Sequence, residues 1–214
     1  MADIFREVDE ELRQDQLKQI WKRYGRLIVA AMVAVVLAVG GFQAWKAWDL
    51  RQRTALSDRF ADALGQADSG DTAAAEEALA AIAAETSGGY GTLAAFAQAR
   101  LRAETGDTAG AAALWERVAN EEAEGSPLQR IAVLLAIMHQ VDDGDAAALE
   151  TRLAPLTKAG EAFRPTALEL TAILALRQGD RARARETYAL IVDDLAAPAG
   201  LRARAAQMIE ALAE

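Results

Sequence analysis

The chain has 214 residues, enough for one domain plus an anchor, with 23 Lys and Arg against 32 Asp and Glu. Residues 1–53 hold nine basic and seven acidic side chains, leaving fourteen and twenty-five in an acidic remainder that repels polyphosphate, so no nucleic-acid partner is expected. The absence of cysteine removes disulfides, thiol catalysis, zinc–thiolate sites and a lipid-modified cysteine, without deciding the compartment, and the weight of Ala, Leu and Glu favours an all-α chain.

Residues 1–26 form a short tail. Ile4, Phe5, Val8 and Leu12, then Leu17, Ile20, Trp21 and Tyr24, recur at helical spacing. Charge switches from acidic before Asp15 to basic at Lys18, Lys22, Arg23 and Arg26. Two readings stand side by side: an amphipathic helix lying on the cytoplasmic leaflet, or a disordered acidic tail with ordinary flanking positives.

Residues 27–45, from Leu27 to Trp45, are nineteen residues without a charge. As a helix they would rise roughly 28 Å, about the thickness of a bilayer's hydrocarbon core, with every backbone polar group satisfied internally. Trp21 and Tyr24 before the stretch, and Phe42, Trp45 and Trp48 at its far end, suit the two interfaces. The expectation is a single transmembrane helix. A cleaved secretory signal is the rival, with Ala38-Val39-Gly40 as a weak cleavage site, but the head is long and begins acidic. Five basic residues on the N side against four on the C side favour a cytoplasmic N-terminus and an exported domain. Ala30, Ala34 and Ala38 repeat every four residues on one face, where another helix can approach closely; alanine is also simply common here.

From Trp45 to about Leu64 the helical pattern continues without Pro or Gly between Gly41 and Gly65, so the anchor is expected to run into the first helix of a domain over 46–214. A repeat follows. Gly-Asp occurs at Gly70-Asp71, Gly106-Asp107, Gly144-Asp145 and Gly179-Asp180, spaced 36, 38 and 35 residues apart. Each Gly is placed to end a helix in the left-handed conformation, and each Asp to begin the next. Four residues after the Asp stand Ala75, Ala111, Leu149 and Ala184; eight after, Leu79, Trp115, Leu153 and Tyr188; eleven after, Ile82, Val118, Leu156 and Ile191. A helix–turn–helix unit of about 34 residues is the tetratricopeptide (TPR) repeat, in which a small residue marks the crossing of two helices and a bulky one fills the next groove. The Trp-Leu-Gly-Tyr signature of first helices is missing, so the units are TPR-like: 54–88, 89–125, 126–161 and 162–197, with 199–213 as a cap helix. The fold class expected is thus all-α, a single transmembrane helix followed by a TPR-like helical-hairpin solenoid.

No constellation of side chains points to chemistry. His139 is the single histidine and follows Met138 on an apolar helix, which fits a packed or half-exposed structural role better than metal ligation. Ser57, Ser69, Ser87 and Ser126 lie in no nucleophile motif, and Gly88-Gly89-Tyr90-Gly91 lacks a preceding strand and a phosphate-binding lysine. No enzyme, cofactor or metal is expected. Arg181, Arg183, Arg185, Arg202 and Arg204 concentrate positive charge in the acidic domain, either as a patch for an acidic partner or as a solvated face neutralised by Glu186, Asp193 and Asp194. A solenoid also offers an extended concave groove to a protein, whose lining cannot be read from the residues.

The run from Asp3 to Glu11 (Asp-Ile-Phe-Arg-Glu-Val-Asp-Glu-Glu), then Trp21-Lys22-Arg23-Tyr24-Gly25, then Gly40-Gly41 with Trp45 and Trp48, followed by the repeats, resembles the YfgM-like family of bacterial inner-membrane proteins over the whole length, in its alphaproteobacterial form. The resemblance implies an ancillary subunit of the Sec translocon: single-pass, its C-terminal domain in the periplasm, its partners translocon subunits and periplasmic chaperones or the client chains they receive. A scaffold for envelope assembly, independent of the translocon, is the other reading.

Overall fold

The computed structural model describes the backbone of residues 2–86 and 88–213, and their side chains apart from those of 2–21, 23, 24, 27, 28 and 31. The chain divides into two compact units, Met1–Ala55 and Leu56–Glu214. Among the described residues the regular structure is entirely helical, with nine α-helices and one 3-10 turn.

Helix α1 (Ala2–Asp68) supplies the backbone of the first unit. No proline interrupts it, and the glycines at 40 and 41 lie within it. Val29, Met32, Val33, Val35, Val36, Leu37, Val39, Phe42, Trp45 and Trp48 are all exposed. At about 100° per residue these positions cover every side of the helix. Ala30, Ala34 and Ala38 are exposed as well. No helix, counted over the described residues, is long and apolar enough to cross a membrane. The side chains of Leu27, Ile28 and Ala31, and those of the apolar stripe from Ile4 to Tyr24, lie outside the described residues.

The second unit is a succession of helix pairs. The end of α1, from Leu56, pairs with α2 (Thr72–Glu85); α3 (Tyr90–Glu104) pairs with α4 (Thr108–Glu121). Helix α5 (Pro127–Met138) precedes α6 (Ala146–Leu153) and the 3-10 turn Ala154–Thr157; α7 (Arg164–Arg177) pairs with α8 (Arg181–Val192), and α9 (Ala199–Ala211) follows. Apolar burial runs between successive helices rather than into one centre. Ala75, Leu79 and Ile82 pack with Ala63, Ala94 and Leu101. Ala111 and Trp115 pack with Ala99 and Ala136, and Val118 with Ala95 and Ala132. Leu149, Leu153 and Leu156 join Leu134, Ile137 and Leu174. Tyr188 and Ile191 join Leu168, Leu201 and Ala205. This chain of nearest-neighbour interfaces is how a solenoid is held together.

The turns explain the spacing of the pairs. Gly70, Gly106 and Gly179 have φ of +88°, +89° and +79°. After Gly106, for example, its N–H donates to the Ala103 carbonyl and the Asp107 N–H to that of Arg102, which closes α3 in a Schellman motif; the same bonds occur at Gly70-Asp71 and Gly179-Asp180. Asp107 Oδ1 then accepts from the Gly110 N–H at 2.9 Å and caps α4. The third turn departs from the expected pattern. Gly144 is not among the residues with positive φ. Helix α5 ends earlier, at Met138, and a longer turn over 139–144 carries the chain to Asp145, which caps α6 through the Ala147 and Ala148 N–H groups. Here glycine serves close approach: a Cβ at Gly144 would lie 2.7 Å from the Gln140 carbonyl oxygen. Arg177 of α7 reaches this turn, donating to the carbonyls of Val141 and Gly144.

Candidate protein-interaction groove

The residues at the bulky repeat position are nearly all out of water: Leu79, Trp115, Leu153 and Tyr188 are 1–3% exposed, and Ala75, Ala111 and Ala184 are fully buried, with Leu149 at 3%. Trp115 fits because the side chains around it are small. Ala99 of α3, Ala111 of α4 and Ala136 of α5 leave the volume that the indole fills. Its ring lies 4.5 Å from that of His139, centroid to centroid, at 46°. Tyr188 is held as the neutral phenol: burial, then the negative charge of Glu169, push its pKa up against the opposing pull of Arg204.

Trp115 also forms part of a cleft of about 560 Å³. Helix α3 contributes Phe96, Ala97, Arg100, Ala103 and Glu104; α5 contributes Leu135, and His139, just after α5, also lines it. Its charged side chains are Arg100 and Glu104, which are paired with each other at 2.6 Å, and the Trp115 Nε1 is buried with no hydrogen-bond partner among the described residues. A second cleft, of about 250 Å³, shares His139 with the first and is bordered by Thr108, Ala112, Glu116, Gln140 and Asp143. Glu116 accepts from Gln140 at 2.7 Å and from Arg152 of α6 at 2.9 Å. These bonds, the one from Gln140 first, hold its carboxyl below the ordinary carboxylate range against the opposing effect of burial.

The family profile described as a tetratricopeptide repeat-like domain matches residues 18–213. The chain belongs to that family. No curated protein matches it, and no solved structure does. Membership places the helix pairs of this TPR-like protein among scaffolds that typically mediate protein–protein contacts without catalysis. Among the described residues no group of three or more His, Asp or Glu is placed to hold a metal ion.

The five arginines read as one patch are divided by the TPR-like stack. Arg183 donates both its terminal nitrogens to Glu150 of α6, at 3.1 and 2.9 Å, and Arg204 grips Glu169 of α7 at 2.7 and 3.0 Å. In each case the carboxylate raises the guanidinium pKa further. The Arg202 Nε is buried without a hydrogen-bond partner among the described residues. Arg181 and Arg185 are exposed and form no ion pair among the described residues. The neutralising partners are thus Glu150 and Glu169, about one repeat away; Asp194, one of the acids adjacent in sequence, is taken by Arg164 at 2.7 Å. These pairs cross between helices thirty or more residues apart, a relation that local sequence does not display. Phe96, Leu135 and His139 are the groove residues that periodicity alone leaves among generic helix positions. The signal that marks them is position: they border the interface around Trp115, the largest side chain at the repeated bulky position.

Proposed function

We propose that this TPR-like chain is a membrane-tethered protein-binding module that assists the biogenesis of secreted or envelope proteins at the Sec translocon. The observation that carries the binding role is the cleft walled by Phe96, Trp115 and Leu135, an apolar opening between consecutive helix pairs of a family that binds proteins. Although no helix counted over the described residues is long and apolar enough to cross a membrane, the tether is supported by residues 27–45, uncharged throughout in the full sequence, and by a helix that exposes Val, Leu, Met and aromatic side chains on every side, a surface suited to lipid rather than water. The translocon and periplasmic chaperones are suggested by the resemblance of the segments Asp3–Glu11 and Trp21–Gly25 to YfgM-like proteins, and the N-terminus is then cytoplasmic with the domain in the periplasm. Anchoring raises the local concentration of the binding face at the channel.

The test is photocrosslinking of the full chain in its native membrane, with reactive groups at Ala34 and Ala97. Translocon subunits captured from position 34, and soluble chaperones or nascent secreted chains from position 97, are the expected products. Crosslinks restricted to envelope-assembly proteins would replace this reading with that of an assembly scaffold. Release of the chain from membranes by alkaline carbonate would remove the tether.

A further inference from the structure

We infer, on the basis of the protein-binding role proposed above, that the groove around His139 takes a partner segment in which a large apolar side chain stands beside Lys or Arg. The apolar half is the cleft of about 560 Å³ between α3 and α5, whose charged side chains, Arg100 and Glu104, are paired with each other and together carry no net charge. The polar half is set by His139. Its Nδ1 lies 3.0 Å from the Leu135 carbonyl oxygen, which can only accept, so Nδ1 carries the hydrogen, and in the neutral form of the ring Nε2 is the acceptor. Nε2 makes no hydrogen bond among the described residues and is not a buried atom, which leaves it accessible at the junction of the two clefts.

In the second cleft the charge of Glu116 is matched by Arg152, while Asp143 is exposed and forms no ion pair among the described residues. Among the described residues the accessible groups left unmatched are therefore the His139 Nε2 and the Asp143 carboxylate, while the Trp115 Nε1–H is unpartnered but buried. Such a surface favours donors and positive charge and rejects acidic segments. The excess of acidic over basic residues across 54–214 acts in the same direction at longer range.

The test is fluorescence anisotropy on the full chain in zwitterionic detergent micelles, with empty micelles as the blank. The probe is a short labelled peptide carrying Phe-Leu followed by Lys-Arg between Gly-Ser spacers. Two controls replace Lys-Arg by Glu-Glu and Phe-Leu by Ala-Ala. Binding of the probe about tenfold or more tighter than either control is expected. Ala97→Trp, which fills the cleft, should abolish binding, and Asp143→Lys, on the exposed rim, should weaken the basic peptide and narrow its lead over the acidic one. Equal or tighter binding of the acidic peptide, or an affinity unmoved by Asp143→Lys, would overturn the inference. If position 97 still crosslinks to proteins in native membranes under that outcome, only the ligand class is wrong. If it captures none, the protein-binding role falls with it.

Discussion

Trp115 is the side chain on which the middle of the stack depends. It is 3% exposed, and its buried neighbours Ala99, Ala111 and Ala136 are too small to refill its space, with Phe96, Leu114 and Leu135 only partly buried against it. Trp115→Ala is therefore expected to cost about 3–5 kcal/mol in urea unfolding, with the larger part of the range if the cavity stays open. Beside it, Glu116 carries a pH signature. Its folded pKa is lowered by Gln140 and Arg152, so its contribution to stability is fully present above the ordinary carboxylate range and is lost as pH falls through the folded value. The difference in melting temperature between the native chain and Glu116→Gln should thus be present at neutral pH and close in acid. A difference that persists unchanged in acid would show that shape rather than charge holds this contact. Trp115 was legible as a packed residue from its place eight positions after Asp107. That it also walls a cleft with Phe96, Leu135 and His139 was not, because those contacts join three helices.

At the scale of the element, the joints between helices decide the spacing. Gly106 has φ of +89°, and an L side chain in that conformation costs about 1–2 kcal/mol, so Gly106→Ala should destabilise by about that amount. Asp107→Ala removes the cap of α4 and should cost about 1 kcal/mol. Gly144→Ala tests a different cause: its backbone is not left-handed, and the obstacle is the Gln140 carbonyl at 2.7 Å from the added Cβ. A destabilisation relieved by shortening the 139–144 turn would identify close approach as the reason for glycine there. The four Gly-Asp pairs look alike in sequence. Three share one hydrogen-bond pattern and the fourth does not, since α5 stops at Met138 and a longer turn follows.

For the whole molecule, stability is a sum of interfaces between neighbouring helices, and the one made by α9 is among them. Helix α9 covers Leu168, Tyr188 and Ile191 through Leu201 and Ala205. Ending the chain after Pro198 should expose that apolar surface, lower the melting temperature and promote association, as read by calorimetry and light scattering. An unaltered melting temperature would show that α9 is not a cap. The inter-helix ion pairs are a weaker lever. Arg204 and Arg183 are substantially exposed, so replacing either by Gln is expected to change stability far less than Trp115→Ala does.

The sequence by itself determined the helical character, because strong helix formers such as Ala, Leu and Glu dominate and apolar residues recur at a 3.6-residue period, and it determined the repeat, because Gly-Asp with apolar residues four, eight and eleven positions later is a local pattern read within one turn and one helix. Only the tertiary structure decided which side chains meet across helices. Arg183 with Glu150, Arg204 with Glu169, and the cleft shared by Phe96, Trp115 and Leu135 depend on the rise and twist from one helix pair to the next. That geometry is set by the packing of alanines such as Ala99 and Ala136 against their neighbours, and no single segment encodes it.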